Sequence, residues 1–431
     1  MMSSPNQRQP GTGGRPGGLR PVAIAACVWL SALPAAGQAQ QAVFASVEEI
    51  ATPAGPGAQE PALFALPDGR VSLIWTEPTS TGFAVRTATG DESGWGVTGT
   101  VASSDDLFVN WADFPSIAVL GDGTVAAHWL KENGTSSYAY DVNLALSRDG
   151  GVNWSQPFTP HRDGTASQHG FVTLLPVADD RFAVIWLDGR AYRGDAPGTR
   201  PDDFADAMQL RAAFVGSDGI PSPETALDIR TCTCCQTSAA VAQGDTLLVV
   251  YRDRTADEIR DISIVRMVAG IWSEPRTVHA DGWEISGCPV NGPAIDAAGE
   301  MAVVAWFTAA DDVPAVNVAF SHDAGGRFDP PFRVDGGDAA GRVDVVMLDD
   351  GSAIISGVEW AEAGEALQVC LARAGTRCGP AQTIALNTAP GSMNFPRMAR
   401  TGDAVFVAWS QPGEAGAPDG IRLVKARLQR D

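Results

Sequence analysis

Lysine is almost missing from these 431 residues: only Lys131 and Lys425 occur. Tyrosine (4) and histidine (5) are also scarce, and 51 Asp and Glu outnumber 30 Lys and Arg to leave a net charge of −21. So acidic a surface repels phosphate backbones, which argues against a nucleic-acid partner. Beyond the first 40 residues no apolar run is long enough to cross a bilayer. No long stretch follows the 3.6-residue period of an amphipathic helix, which argues against a helical bundle. A nucleophile elbow, a phosphate-binding glycine loop and a His-Glu-x-x-His helix are all absent, and with them the commonest hydrolase, nucleotidase and metalloprotease signatures.

What is present is glycine (47), proline (29) and 45% apolar residues. That mix suits many short strands joined by tight turns. The first 39 residues have the form of an export signal: Arg8, Arg15 and Arg20, an apolar run from Val22 to Leu33, then small residues and a cleavage site at Gly37-Gln38-Ala39. A lipid anchor at Cys27 is the less favoured alternative, because much of the apolar run follows that cysteine. Cleavage removes three Arg and no acid, so the mature chain, residues 40–431, carries −24 and is expected in the periplasm or medium. A single domain, acting as a monomer, is expected there.

That region is built on a repeat. An apolar strand leads into an Asp/Gly turn, and a second apolar strand follows and ends in an aromatic. The turns are Asp68-Gly69, Asp122-Gly123, Asp179-Asp180, Gly244-Asp245, Gly299-Glu300, Asp350-Gly351 and Gly402-Asp403. The aromatics are Trp75, Trp129, Trp186, Tyr251, Trp306, Trp360 and Trp409, all expected to pack between sheets. A third strand follows in each unit (Val142 to Ser147, Ile262 to Met267), then a fourth opening near a proline such as Pro157, Pro275 or Pro331. The spacing predicts an all-β propeller of seven four-stranded blades. The last unit runs out after its third strand, Ile421 to Leu428, and Val43 to Ile50 is predicted to close the ring as its fourth.

Two of the turns between third and fourth strands share a motif. Ser147-Arg148-Asp149-Gly150-Gly151-Val152-Asn153-Trp154 fits S-x-D-x-G-x-x-W, and Ser321 to Phe328, with Asp323, fits it with Phe in place of Trp. Thr89 to Trp95 is a degenerate copy. The motif resembles the Asp box, or BNR repeat, of sialidase-like propellers. In it Asp149 and Asp323 brace a hairpin while Trp154 and Phe328 pack back onto the sheet. The resemblance spans residues 40–431 and implies a binding site on the opposite face, made by the loops after the second strands and by the connections between blades.

Those loops collect the unusual residues: His161 and His169; Cys232, Cys234 and Cys235; Cys288 and Asn291; Asp188 and Arg190; and Arg252, Asp253, Arg254, Glu258, Arg260 and Asp261. All fall in blades two to five. The arginines Arg190, Arg252, Arg254 and Arg260 suit a carboxylate or anionic glycan. Cys232, Cys234, Cys235 and Cys288 have three open readings: two disulfides, a copper or zinc site with His161 or His169 as further ligands, or redox thiols. Cys370 and Cys378 span one turn and suggest a local disulfide. The resemblance also implies a glycoside-hydrolase alternative, with Tyr251 and Glu258 as nucleophile pair and Asp188 or Asp253 as acid/base. Against it, sialidases carry an Arg-Ile-Pro motif on the first blade where this chain has Gln59-Glu60-Pro61, and they have six blades. The expected function is therefore ligand binding on this face, by an anionic glycan, a carboxylate or a metal ion.

Overall fold

In each repeat the second strand is apolar along both faces, so it is stable only with protein on either side. In a computed structural model that condition is met by seven antiparallel sheets arranged as propeller blades. The structure describes residues 42–178, 180–191, 207–376, 378–379, 381–413 and 419–429. The segment expected to be an export signal, with Cys27, and Asp179 of the third turn lie outside these residues.

Second strands such as Thr246–Arg252 and Arg181–Asp188 are buried almost throughout. The first strands face a central channel of about 290 Å3, lined by segments from all seven blades, including Ala62 to Ala65, Phe171 to Leu175 and Arg397 to Ala399. Blade seven closes as expected: Phe44–Glu49 pairs antiparallel with Gly420–Leu428, outside Ala404–Gln411 and Arg397–Thr401. The two chain ends thus remove the free edge that an open ring would leave.

Side chains stitch neighbouring inner strands. Asp113 accepts the Phe171 N–H at 2.7 Å, Asp296 accepts that of Met347 at 2.7 Å, and Asp344 accepts that of Met398 at 2.7 Å. Each carboxyl group reaches from one blade to the next and satisfies a backbone donor at a bulge or near a strand end. The motif turns are alike in detail. Ser147 Oγ donates to Asp149 at 2.8 Å and Asp149 accepts the Asn153 N–H at 2.8 Å, while Ser321, Asp323 and Arg327 repeat the pattern at 2.9 and 2.7 Å.

Two expectations are corrected. Six of the repeat aromatics are buried, but Trp360 is 55% exposed. The other six lie six residues beyond the second residue of their turn, whereas Trp360 lies nine beyond Gly351; Gly357 holds the equivalent place. An odd displacement along a strand turns a side chain to the other face. In blade two the fourth strand shrinks to one bridge, Leu144 to Phe158. Pro157 and Pro160 flank Phe158 and have no N–H with which to extend a ladder.

Candidate functional site

Inter-blade connections and the loops after second strands meet at one mouth of the channel. They enclose a pocket of about 710 Å3 bordered by blades two to five. Trp111 and Tyr138 present half-open rings to it. Tyr140, Gln168 and Phe171 line it from blades two and three, and Ser286 to Cys288 from the connection between blades four and five.

Its charged wall comes from the blade-four loop between Thr246–Arg252 and Ile262–Val268. A tight turn, Thr255 N–H to Ile259 O at 3.0 Å, puts Glu258 in the left-handed region (φ 60°). There the Glu258 carboxylate is clamped between two guanidinium groups. Arg254 donates through Nε and Nη2 to Oε1 at 2.9 and 2.7 Å, and Arg260 through Nε and Nη2 to Oε2 at 3.0 and 2.6 Å. All three are buried, yet all three border the pocket. Two arginines and one glutamate form this wall in a chain of net charge −21.

The other arginines are placed elsewhere. Arg252 is a strut: it donates to the carbonyls of Asn291, Arg260 and Phe307 at 2.9, 2.6 and 2.6 Å, and its guanidinium lies 4.9 Å from the Trp283 ring centroid. Arg190 is held by Asp188 and Glu224, each at 2.7 Å. Asn291 accepts the Arg342 N–H at 2.8 Å and so ties its connection to blade six.

Tyr251 and Asp188 serve the repeat. The indole N–H of Trp75, Trp186 and Trp409 donates to the side chain two residues on: Glu77 at 3.0 Å, Asp188 at 2.8 Å and Gln411 at 3.0 Å. Tyr251 is fully buried and its hydroxyl donates to Asp228 at 2.5 Å, not to Glu258. Burial and the neighbouring Asp228 and Asp253 push this phenol up, away from a nucleophilic phenolate. Burial, with Asp228, also raises Asp253 to about 6; it accepts from Ser263 at 2.8 Å.

The cysteines divide into two kinds. Cys234 and Cys288 form a disulfide on the pocket wall, and Cys370 and Cys378 a second one in blade six. Among the described residues Cys232 and Cys235 keep free, buried thiols 3.0 Å apart. Cys232 lies 3.9 Å from Cys234 Sγ and receives Arg260 Nη1 at 3.4 Å. Burial opposes a thiolate at Cys232, but the Cys235 thiol and the Arg260 charge outweigh it and lower Cys232, while Cys235 is raised.

His161 and His169 join carboxylates, and no described group brings either within ligand reach of the cysteines. Their rings stack in parallel, centroids 3.9 Å apart, among Asp141, Asp163 and Asp188. Burial disfavours a charge on His169, yet the three carboxylates outweigh it and lift the ring to about 9. Burial and the adjacent His169 lower His161.

Trp111, Tyr138 and Tyr140 were missed from the sequence. Trp111 had a signal: it is a tryptophan outside every repeat position, in the connection between blades one and two.

No family model and no curated protein matches the chain. Solved structures do. A protein of unknown function from Dyadobacter fermentans is similar at 12% identity and TM-score 0.50, over 90% of this chain and 99% of that one. The polysaccharide lyase Uly1 is similar at 11% and 0.50, over 93% and 94%. A Trypanosoma rangeli sialidase aligns at 9% and 0.46, over 78% of this chain and 56% of its own. At these identities the likeness extends to the β-propeller fold.

Proposed function

We propose that the chain is an exported Asp-box propeller that binds an anionic oligosaccharide or related carboxylate in the axial pocket. The carrying observation is the pocket's lining: half-open Trp111 and Tyr138 beside a buried Arg254–Glu258–Arg260 wall. Aromatic faces suit the apolar faces of sugar rings, and guanidinium groups suit carboxylates. A volume of about 710 Å3 lies within the usual range for small-ligand sites. The matching hydrogen bonds at Asp149 and Asp323 support the Asp-box assignment. Export fits two disulfides in one chain, since disulfides persist in oxidising compartments. Binding is favoured over sialoside hydrolysis because Tyr251 is committed to Asp228 and the first-blade arginine is absent.

The test is calorimetric titration with uronate-containing and neutral oligosaccharides. Binding of the uronate set, weakened at least tenfold by Trp111→Ala, is expected. Failure of every uronate ligand to bind, or equal binding by Trp111→Ala, would count against the proposal.

A further inference from the structure

The stacked histidine pair lies outside the ligand proposal. Three buried atoms there have no hydrogen bond: His161 Nε2, His169 Nε2 and Asp163 Oδ1. His169 Nδ1 sits 3.2 Å from the Tyr140 carbonyl, which can only accept, so Nδ1 carries the hydrogen. Without a proton on Nε2, the ring turns a bare lone pair toward Asp163 Oδ1 at 3.2 Å and Asp188 Oδ2 at 3.7 Å. These three atoms repel unless a proton on Nε2 or a metal ion lies between them; Arg190 Nη2, 2.7 Å from Asp188 Oδ2 and 3.5 Å from Asp163 Oδ1, offsets part of the charge from one side. The surrounding charges ask for the same thing. Among the described residues, Asp141, Asp163, Asp188 and Glu224 pair with Arg190, Arg211 and the two histidines, so the carboxylates outnumber the guanidinium groups by two.

The spacing fits an ion. Metal bonds of about 2.0–2.2 Å in tetrahedral array set neighbouring donors about 3.3–3.6 Å apart. The separations here are 3.2, 3.4 and 3.7 Å, the second from His161 Nδ1 to Asp163 Oδ1. A backbone carbonyl on the far nitrogen is also how metal-binding histidines are oriented.

We propose that His169, Asp163 and Asp188, with His161 beside them, bind one divalent transition-metal ion of the zinc class between blades two and three. Nitrogen and oxygen donors without thiolate favour Zn2+, Mn2+ or Fe2+ over Cu(I). The site is separate from the cysteines and does not depend on what the axial pocket binds.

The test uses the mature chain, stripped with chelator and dialysed against Zn2+ or Co2+. One Zn2+ per chain is expected, retained in a Cys232→Ser/Cys235→Ser variant and lost in His169→Gln and in Asp163→Asn. The Co2+ form should show d–d absorption without a thiolate charge-transfer band. Should His169→Gln not fold, Asp163→Asn, on a connecting loop, decides alone. Substoichiometric metal, metal kept by folded Asp163→Asn, or a thiolate band would each overturn the proposal; the first would mean that protons on the histidines supply the missing charge.

Discussion

Glu258→Gln separates the energetics of the pocket wall from its use. Glu258 accepts four N–H bonds from Arg254 and Arg260, whose side chains are only 3% and 6% exposed. Glutamine keeps the shape but has one acceptor oxygen, and its amide N–H2 faces the donors of one arginine. Removing one partner of a buried ionic cluster costs about 3–5 kcal/mol. We expect the lower part of that range, since one oxygen survives. Urea unfolding should show the midpoint fall with an unchanged slope, because the surface exposed on unfolding is the same. Adding Arg260→Met to Glu258→Gln should recover part of the loss by removing an uncompensated guanidinium. Affinity should move the other way: without the Glu258 charge the wall becomes one unit more positive, and a carboxylate ligand should bind about tenfold tighter, about 1.4 kcal/mol. A stability loss under about 1 kcal/mol, or weaker carboxylate binding by folded Glu258→Gln, would refute the reasoning.

Three further outcomes follow from buried groups. Burial raises the Asp113 carboxyl to about 7, so the folded state holds a proton that the unfolded chain releases near pH 4. Its contribution to stability is full below pH 4 and lost as pH rises through 7, so Asp113→Asn should match the wild type at pH 4 and exceed it by a few kcal/mol, order of magnitude, at pH 8 in urea titrations. Arg252→Lys should cost about 2–4 kcal/mol through unpaired carbonyls at Asn291, Arg260 and Phe307, with ligand affinity unchanged, because Arg252 braces loops and does not line the pocket. Unfolded, unreduced protein lacking residues 1–39 should titrate two thiols, Cys232 and Cys235; four or none would contradict the pairing described.

The propeller was legible because one physical pattern recurs. Turn, apolar strand and aromatic repeat with constant parity, and the single break in parity at Trp360 is where the packing expectation failed. Ring closure was legible because both chain ends held an unmatched strand. Side-chain pairing was not. Tyr251 and Asp188 read as catalytic candidates from their residue types, but partners distant in sequence or two residues away engage them in packing. Arg190 and Arg252 read as ligand-binding from a local cluster, and sequence could not show that Glu224 and three carbonyls already engage them. The histidines and cysteines fall on the same face, but strand twist and loop length place them in separate groups. Tyr138 belongs to an irregular loop, where no period marks a residue as lining, and Tyr140 opens the strand Tyr140–Ser147, where the alternation that marks a core residue does not distinguish a lining one.

The most direct test of the central claim is a crystal structure of residues 40–431 with a uronate-containing oligosaccharide. The account predicts a sugar ring against Trp111 or Tyr138 and a carboxylate against the guanidinium groups of Arg254 or Arg260. Ligand seated on the Asp149 and Asp323 face, or an axial pocket without sugar at saturating concentration, would contradict it.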